Sequence, residues 1–216
     1  MTEPLSSPVL EAAERHCQSL QEALAELRGP GLERLALWGT ELAAVLPVGG
    51  RLLAAGNGGS AAQAQHLTAE LVGRYQRERP AYSALSLHAE TSSVTAIGND
   101  YGFDQVYARQ VAAHGRPGDV LVLLSTSGRS ANLIAAAVTG RAAGLRVWAL
   151  TGPGPNPLAE AADEALCVAG ATTAAVQEAH LVAVHLLCES FDLAAAPPSR
   201  GAGAGRPAVT ADRRMT

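Results

Sequence analysis

The amino-acid sequence predicts an α/β protein, with a three-layer αβα arrangement of a doubly wound parallel sheet and extra helices at the N-terminus. Short apolar runs alternate along the chain with longer helical patterns, an order that produces parallel strands joined by right-handed crossovers. Hydrophobic residues form 48% of the 216 residues, whereas aromatic residues form only 4%. This composition favours helices that pack closely on a sheet through Ala, Leu and Val.

The chain begins with two predicted helices. Apolar residues recur at helical spacing from about residue 6 to residue 46, and Gly29-Pro30-Gly31 interrupts the pattern. Helices that precede the first strand have no sheet face left to cover. They therefore favour an oligomer in which they pack on another subunit.

A glycine-rich turn follows the first predicted strand, Arg51–Ala55. Gly56, Gly58 and Gly59 permit tight backbone turns, and Ser60 is expected to cap the next helix. A strand, a glycine turn and a helix N-terminus present free N–H groups to an anion such as phosphate. Taken alone, such a turn is more often structural than ligand-binding.

A histidine and a glutamate lie further along that helix. His66 and Glu70 are four residues apart and therefore project from the same helix face. The pair could bind a metal or transfer a proton, and it could equally form only a hydrogen bond on the helix surface. The nearby glycine turn favours the chemical interpretation, because it would hold a phosphate within a few turns of the pair.

A second candidate anion site follows the clearest buried strand, Asp119–Leu124. Before it, a strand is predicted at Ala84–Leu87 and a helix that ends near Gly98, so Asn99 and Asp100 are expected in a turn. After it, Ser125-Thr-Ser-Gly-Arg-Ser brings hydroxyls to a strand end, with Ser130 capping a helix to about Ala143. Capping alone would explain the hydroxyls, but parallel sheets bind ligands at such ends.

The C-terminal part is predicted to contain two more strands and a buried helix. The strands are Leu145–Leu150 and Glu164–Val168, and the helix extends from Thr173 to Leu193. This helix is apolar nearly all round, so its polar residues require partners. Its geometry alone pairs Glu178 with His185; the polar residues are Gln177, Glu178, His180, His185 and Glu189. Residues 1–195 are predicted to form one domain, and 196–216 a disordered tail rich in Ala, Gly and Pro.

Charge and cysteine content exclude several classes of protein. The net charge of −4 gives no footprint for nucleic acid or an anionic membrane, and no apolar run is long enough to span a bilayer. The basic residues are all arginine, which excludes Schiff-base lysine chemistry. The three widely spaced cysteines are expected to be buried free thiols. A cytoplasmic protein without nucleic-acid or membrane partners is expected.

Four segments resemble the SIS (sugar isomerase) domain family, and within it the phosphoheptose isomerases. The resemblance extends from about residue 10 to residue 193. The segments are Gly56-Asn-Gly-Gly-Ser-Ala-Ala-Gln-Ala-Gln-His-Leu-Thr-Ala-Glu-Leu-Val-Gly-Arg-Tyr, Thr95-Ala-Ile-Gly-Asn-Asp-Tyr-Gly-Phe, Gly118-Asp-Val-Leu-Val-Leu-Leu-Ser-Thr-Ser-Gly-Arg-Ser-Ala-Asn and Gln177-Glu-Ala-His-Leu-Val-Ala-Val-His. The resemblance implies the SIS fold.

The resemblance also implies an activity and roles for individual residues. The activity is isomerisation of sedoheptulose 7-phosphate to D-glycero-D-manno-heptose 7-phosphate through an enediol, with Glu70 as base and His185 as acid. The implied substrate-binding residues are Asn57, Gly58, Ser60, Asp100, Ser125, Thr126, Ser127, Ser130 and Gln177, with the five hydroxyl residues on the phosphate. The implied zinc ligands are His66, Glu70, Gln177 and His185. A homotetramer with active sites at subunit interfaces is also implied.

Three alternatives remain open from the sequence. The first is a non-catalytic SIS protein that binds a replication initiator, although such a protein needs no His66, Glu70, Gln177 and His185 together. The second is a phosphosugar-sensing regulatory domain, which the lack of a basic DNA-binding segment disfavours. The third is an isomerase of another phosphosugar. The family often carries polar residues where Ala174 and Ala175 precede Val176-Gln177, so contacts at the pocket rim or the subunit interface are expected to differ.

Overall fold

The structure, a computed structural model, describes residues 7–196. In this range a parallel five-stranded sheet with the order β2-β1-β3-β4-β5 lies between two layers of helices. The strands are β1 (Leu52–Gly56), β2 (Ala84–Ser86), β3 (Val120–Ser125), β4 (Arg146–Thr151) and β5 (Glu164–Cys167). The helices are α1 (Ser7–Leu27), α2 (Pro30–Val45), α3 (Gly59–Val72), α4 (Thr91–Tyr101), α5 (Val106–His114), α6 (Ala131–Ala142), α7 (Pro157–Ala161) and α8 (Thr173–Ala195). The predicted fold class is confirmed.

The strand order reverses direction beside β1. The chain moves from β1 to β2 on one side, then crosses back to place β3 on the other side, with Gly56 paired to Leu124 at the carboxyl end. Such a reversal opens a crevice at the carboxyl ends of the two strands, which is where doubly wound sheets bind ligands. The glycine turn and the hydroxyl-rich turn both begin at this point.

Two hydrophobic clusters hold the helix layers to the sheet. One joins α1, α2, α3 and α8 to one sheet face, and the other joins α5, α6 and α7 to the opposite face. Trp38 of α2 stacks on Trp148 of β4, with ring centroids 4.8 Å apart. The last helix, predicted to be buried, buries ten of its 23 residues, and Val182 and Leu193 remain 36% and 54% exposed.

Several local predictions require correction. Helix α3 begins at Gly59 with Gly58 at the capping position, so Ser60 is not its cap; the positive φ of 55° at Gly58 turns the chain into the helix earlier than a serine cap would. Asn99 and Asp100 lie in the last turn of α4, because that helix continues to Tyr101. Cys17 and Cys167 are exposed, and only Cys188 is buried.

Two predictions fall partly or wholly outside the described residues. The predicted tail lies outside residues 7–196 except for Ala196, and so does the N-terminal segment Met1–Ser6. Within residues 7–196, no helix is both long enough and apolar enough to cross a membrane.

Glu164 anchors the edge strand β5 through charged hydrogen bonds. Its carboxylate accepts hydrogen bonds from Arg34 and from Trp38 Nε1 (3.3 Å) of α2, and from Arg146 Nη2 of β4 (2.8 Å). Burial opposes ionisation, but the hydrogen bonds from Arg34 and Trp38 and the charges of Arg34 and Arg146 outweigh it. The pKa of the Glu164 carboxyl is therefore lowered.

We expect Glu164→Gln to lower the free energy of unfolding at pH 7 by about 1–2 kcal/mol, because hydrogen bonds to a charged group are lost. A lowered folded-state pKa stabilises above the unfolded-state pKa of about 4.3, and this stabilisation is lost as pH falls through the folded-state pKa. Urea unfolding of both proteins at pH 7 and pH 3 should show a difference that shrinks in acid. A difference of equal size at both pH values would contradict the assignment.

Candidate active site

A polar cavity of about 80 Å³ lies where β1 and β3 end, with more room than one water requires. The N-termini of α3 and α6 both meet it, because Ser60 is in the first turn of α3 and Ser130 directly precedes α6. Free N–H groups and two helix dipoles therefore favour an anion there. We call this cavity the cradle; its lining is Asn57, Ser60, Leu124, Ser125, Thr126, Ser127 and Ser130.

The hydroxyl-rich turn folds back on itself to form one wall of the cradle. Ser125 Oγ accepts a hydrogen bond from the Gly128 N–H (3.1 Å), and Ser127 Oγ accepts one from the Arg129 N–H (3.2 Å). Gly128 has φ +63°, and a Cβ there would lie 2.0 Å from Asn156 Oδ1. The turn therefore requires glycine both for its backbone conformation and for its contact with the loop after β4.

Ser130 occupies the capping position of α6 as predicted, but the predicted capping hydrogen bond is not formed. Ser130 is the residue before α6, but its side chain makes no capping hydrogen bond. Its Oγ lies 3.5 Å from Ser125 Oγ instead. The hydroxyl turns towards the cradle and leaves the first N–H groups of α6 free, which suits an anion better than a capped helix would.

Two buried residues that the sequence did not single out, Asn132 and Tyr107, form hydrogen bonds with the glycine turn beside the cradle. Asn132 in the first turn of α6 exchanges two amide hydrogen bonds with Asn57, each 2.9 Å long. Tyr107 Oη donates a hydrogen bond to the Gly56 carbonyl at 2.5 Å. Burial raises the pKa of Tyr107, so its hydroxyl keeps the donated proton. These contacts fix the glycine turn against α6, and they join segments too distant in sequence for a motif to reveal.

A second cluster lies between α3 and α8 and contains both predicted acid–base residues. His66 Nε2 lies 3.3 Å from Glu70 Oε1 and 2.9 Å from His185 Nε2. The Glu70 side chain is 19% exposed, and that of His66 is 40% exposed. Tyr75, in the segment that follows α3, places its ring centroid 5.5 Å from that of His185. The helix-surface alternative is therefore replaced by a three-residue cluster formed across two helices.

The cluster has a donor set that zinc accepts. One ligand atom from each of His66, Glu70 and His185 lies within 4.8 Å of the others. Two imidazole nitrogens and one carboxylate form a common zinc set that leaves a coordination position open for water or substrate. Without a metal, the contact between the two Nε2 atoms requires that one of them carries a proton and the other accepts it.

Gln177 lies two turns before His185 on α8 and contacts the first turn of α3. Its main-chain carbonyl accepts a hydrogen bond from Gln63 Nε2. A Cβ at Gly59 would lie 1.9 Å from Gln177 Nε2, so the carboxamide packs directly on the start of α3. Gly58, beside it, is exposed at the mouth of the turn. Gln177 thus lies on the helix that joins the cradle to the His66, Glu70 and His185 cluster.

Two predicted placements differ in the structure. Glu178 does not pair with His185, because Glu178 Oε1 contacts His16 Nε2 of α1 at 3.0 Å. The spacing of residues within α8 could not reveal this partner, because His16 belongs to a different helix, α1. Asp100 is exposed at the end of α4, accepts a hydrogen bond from Asn99 Nδ2 (2.8 Å) and does not line the cradle.

His180 is the fully buried histidine of α8 and takes no part in the cluster. Its Nε2 lies 3.0 Å from the Thr151 carbonyl at the end of β4. Burial lowers the pKa of His180, so the neutral ring donates this hydrogen bond. The residue joins α8 to the sheet and has a structural explanation.

The chain is similar to known proteins in both sequence and structure. The family model for the SIS domain matches residues 15–152. A phosphoheptose isomerase of Streptomyces coelicolor is 63% identical over 195 residues, covering 90% of this chain and 84% of that protein. The phosphoheptose isomerase of Francisella tularensis superposes with a TM-score of 0.79 at 32% identity, covering 87% of this chain and 100% of the other. The phosphoheptose isomerase of Neisseria gonorrhoeae superposes with a TM-score of 0.76 at 39% identity, covering 88% of this chain and 100% of the other.

The predicted resemblance is confirmed by both kinds of comparison. The family model extends over more than half of the chain, and the Streptomyces coelicolor relative aligns with nine-tenths of it. The solved structures share the arrangement of sheet and helices along their whole length. The chain therefore belongs to the SIS domain family and, within it, to the phosphoheptose isomerases, which are aldose–ketose isomerases.

Proposed function

We propose that this protein converts sedoheptulose 7-phosphate to D-glycero-D-manno-heptose 7-phosphate through an enediol. The observation that carries the proposal is that one helix, α3, serves two sites: Ser60 in its first turn lines the cradle, and Glu70 in its last turns belongs to the acid–base cluster. About 15 Å of helix separates the two residues at 1.5 Å per residue. An open-chain sugar phosphate can lie along this helix with its ends at the two sites.

The phosphate is assigned to the cradle. Ser60, Ser125, Thr126, Ser127 and Ser130 would donate hydroxyl hydrogen bonds to it, and the start of α6 would add N–H groups. The described residues that line the cradle include no arginine. The negative charge of the phosphate would therefore be balanced by helix dipoles and hydrogen bonds, which hold it in a fixed orientation.

The isomerisation is assigned to Glu70 and His185. Glu70 would take a proton from C1 of the ketose, the electron pair of that bond would form the C1=C2 double bond, and His185 would protonate the oxygen on C2. In the second half, His185, which has given up its proton, would accept the proton of the C1 hydroxyl, a carbonyl would form at C1, and Glu70 would return a proton to C2. Asn57, Gly58 and Gln177 would contact the sugar between the two ends.

Zinc would be held by His66, Glu70 and His185. The fourth ligand that the resemblance implies, Gln177, has its carboxamide against Gly59 at the start of α3 and would have to turn towards the cluster to bind the metal. When bound, it would polarise the substrate oxygens and stabilise negative charge on the enediolate. His185 Nε2 cannot hold a proton and a metal at the same time. Its role as acid would therefore belong to the metal-free protein, and in the zinc-bound protein polarisation of the C2 oxygen would replace protonation by that nitrogen. The two roles of His185 are therefore separable by experiment.

We expect metal removal to lower kcat at least about tenfold, with recovery on addition of zinc, since charge stabilisation by a bound metal is worth several kcal/mol in the transition state. The measurement is the rate with sedoheptulose 7-phosphate before and after chelation and dialysis, and again with zinc. An unchanged rate in protein shown by elemental analysis to be metal-free would assign His185 to proton transfer alone.

A cytoplasmic location and assembly as a homotetramer are proposed from the family resemblance, and exposed side chains of α4 offer a surface for subunit contact. Helix α4 has no buried residue, and Tyr101 and Phe103 near its end are 54% and 60% exposed. Aromatic residues are enriched at protein–protein interfaces relative to the rest of the surface. Asp100 lies on the same helix end, so its proposed contact with the sugar would be made in a site shared between subunits.

Conversion of sedoheptulose 7-phosphate tests the function directly. The protein, with zinc supplied, should convert the ketose to the aldose, followed by NMR of the C-1 aldehyde hydrate and anomeric signals. No conversion, with the phosphosugar nevertheless bound, would favour the non-catalytic alternative. Turnover of a different phosphosugar at higher kcat/KM would reassign the substrate and retain the isomerase.

A further inference from the structure

A buried arginine outside the acid–base cluster contacts the peptide of its proposed base. Arg79 lies in the irregular segment between α3 and β2, and its side chain is 9% exposed. Its Nη2 donates a hydrogen bond to the Glu70 carbonyl at 2.6 Å, and its Nη1 donates one to the Leu71 carbonyl at 3.0 Å. Both acceptors belong to the last turn of α3, where helix carbonyls lack intrahelical partners.

The same guanidinium reaches the helix that carries His185. Arg79 Nε donates a hydrogen bond to Asp192 Oδ1 at 2.7 Å, and the Asp192 side chain is 1% exposed. Asp192 lies seven residues after His185, which is two turns along the same side of α8. One planar group therefore joins the main chain of Glu70 to α8.

Aromatic rings limit the movement of this group. The guanidinium carbon lies 5.3 Å from the ring centroid of Tyr82 and 5.4 Å from that of Phe191. Guanidinium groups stack on aromatic faces, and their fork of N–H donors has fixed directions. The carbonyls of α3 and the carboxylate of α8 are consequently held at a defined separation.

The charges of Glu70, Arg79 and Asp192 all act on the thiol of Cys188. Burial raises the pKa of its thiol to about 12, and the negative charges of Glu70 and Asp192 add to this effect while Arg79 opposes it. Cys188 is on α8 between His185 and Asp192. The carboxylate of Glu70 and the Arg79–Asp192 pair are thus close enough to act on the same side chain.

We infer that Arg79 is a positioning residue that sets the distance between Glu70 on α3 and His185 on α8. The inference rests on the proposed function for the roles of those two residues. In this role Arg79 neither contacts the substrate nor transfers a proton. The role depends on the directed N–H groups of the guanidinium and not on its positive charge alone. A purely structural ion pair would require only the charge.

Lysine at this position separates the two explanations. Arg79→Lys keeps a cation beside Asp192, but one ammonium on a flexible chain cannot reproduce the directed bonds to two carbonyls and a carboxylate. Arg51→Met is the matched control, because Arg51 also forms a pair with a buried carboxylate, Asp119, with side chains 19% and 5% exposed. That pair directly precedes β1 and β3 and therefore lies at the amino ends of these strands, opposite the carboxyl ends where the cradle is.

The experiment measures kcat, KM, thermal midpoint and zinc affinity for wild type, Arg79→Lys, Arg79→Met and Arg51→Met. Zinc affinity is measured with Zn²⁺ alone, in competition with a chromophoric chelator. We expect Arg79→Lys to keep the wild-type midpoint within a few degrees, to lose 10- to 100-fold in kcat or zinc affinity, and to keep KM within about threefold. Arg51→Met should lower the midpoint and leave kcat and zinc affinity unchanged.

Wild-type kcat and zinc affinity in Arg79→Lys would overturn the inference, and so would an equal loss in Arg51→Met. If Arg79→Met does not fold, the kcat and zinc affinity of Arg79→Lys still test the inference. Absence of turnover by the wild-type protein would count against the proposed function, and the zinc measurement would then decide the role of Arg79. Absence of both turnover and zinc binding in the wild type would overturn both proposals together.

Discussion

Replacing Glu70 by glutamine should lower kcat by about 10²- to 10⁴-fold, the usual contribution of a positioned general base. Glutamine has nearly the same shape but cannot accept the carbon-bound proton. KM should change little, because the phosphate is assigned to the cradle, which Glu70 does not line. Initial rates with sedoheptulose 7-phosphate, at saturating zinc, give both parameters.

Glu189→Gln is the matched control for this prediction. Glu189 is on α8, one turn after His185, and its side chain is 34% exposed and contacts Arg77 at 4.0 Å. The same loss of a carboxylate there should leave kcat unchanged. A Glu70→Gln protein with wild-type kcat would refute the base assignment, whatever the control shows.

Gly56→Ala should lower both stability and kcat/KM. A Cβ at Gly56 would lie 2.5 Å from the Ser60 main-chain carbon and oxygen and 2.8 Å from the Ala61 nitrogen. Main-chain atoms cannot move aside as a flexible side chain can, so α3 must shift. Overpacking of this kind costs about 1–3 kcal/mol, and a displacement of about 1 Å in a site can cost 10²-fold in rate.

Gly98→Ala provides the control for the glycine substitution. Gly98 is in α4, and a Cβ there would approach only Val106 Cγ1, at 3.8 Å. Alanine favours a helix interior over glycine by about 1 kcal/mol, so this variant should keep or gain stability. Thermal unfolding and kcat/KM are measured for both variants. A fully active and stable Gly56→Ala protein would show that the start of α3 does not determine the site.

Local signals in the sequence were sufficient to predict the sheet and the cradle. Each central strand is a short apolar run that ends at a glycine or hydroxyl-rich turn, so both the strand and the ligand-binding end are encoded within about ten neighbouring residues. The helix face shared by His66 and Glu70 follows from their spacing alone. The positions of Ser125, Ser127 and Ser130 are confirmed for the same reason, while their binding roles remain proposals.

Contacts between distant segments could not be predicted. Glu178 pairs with His16, and Asn57 pairs with Asn132; helical spacing carries no information about a partner on another element. The capping role expected of Ser60 was wrong because Gly58, a glycine with positive φ, occupies the capping position two residues earlier. Arg79 has no local signal at all, since its acceptors are main-chain carbonyls and a carboxylate of α8.

Transfer of solvent hydrogen to the product tests the central claim most directly. The reaction is run with sedoheptulose 7-phosphate in D₂O, and the aldose is analysed by NMR. Because the Glu70 side chain is 19% exposed, a proton that it takes from C1 can exchange with solvent before it returns. We predict deuterium at C-2 of the aldose formed by the wild-type protein, and little product of any kind from Glu70→Gln. Complete retention of the substrate hydrogen at C-2 would contradict proton transfer through a solvent-accessible Glu70 and favour a hydride shift between the two carbons.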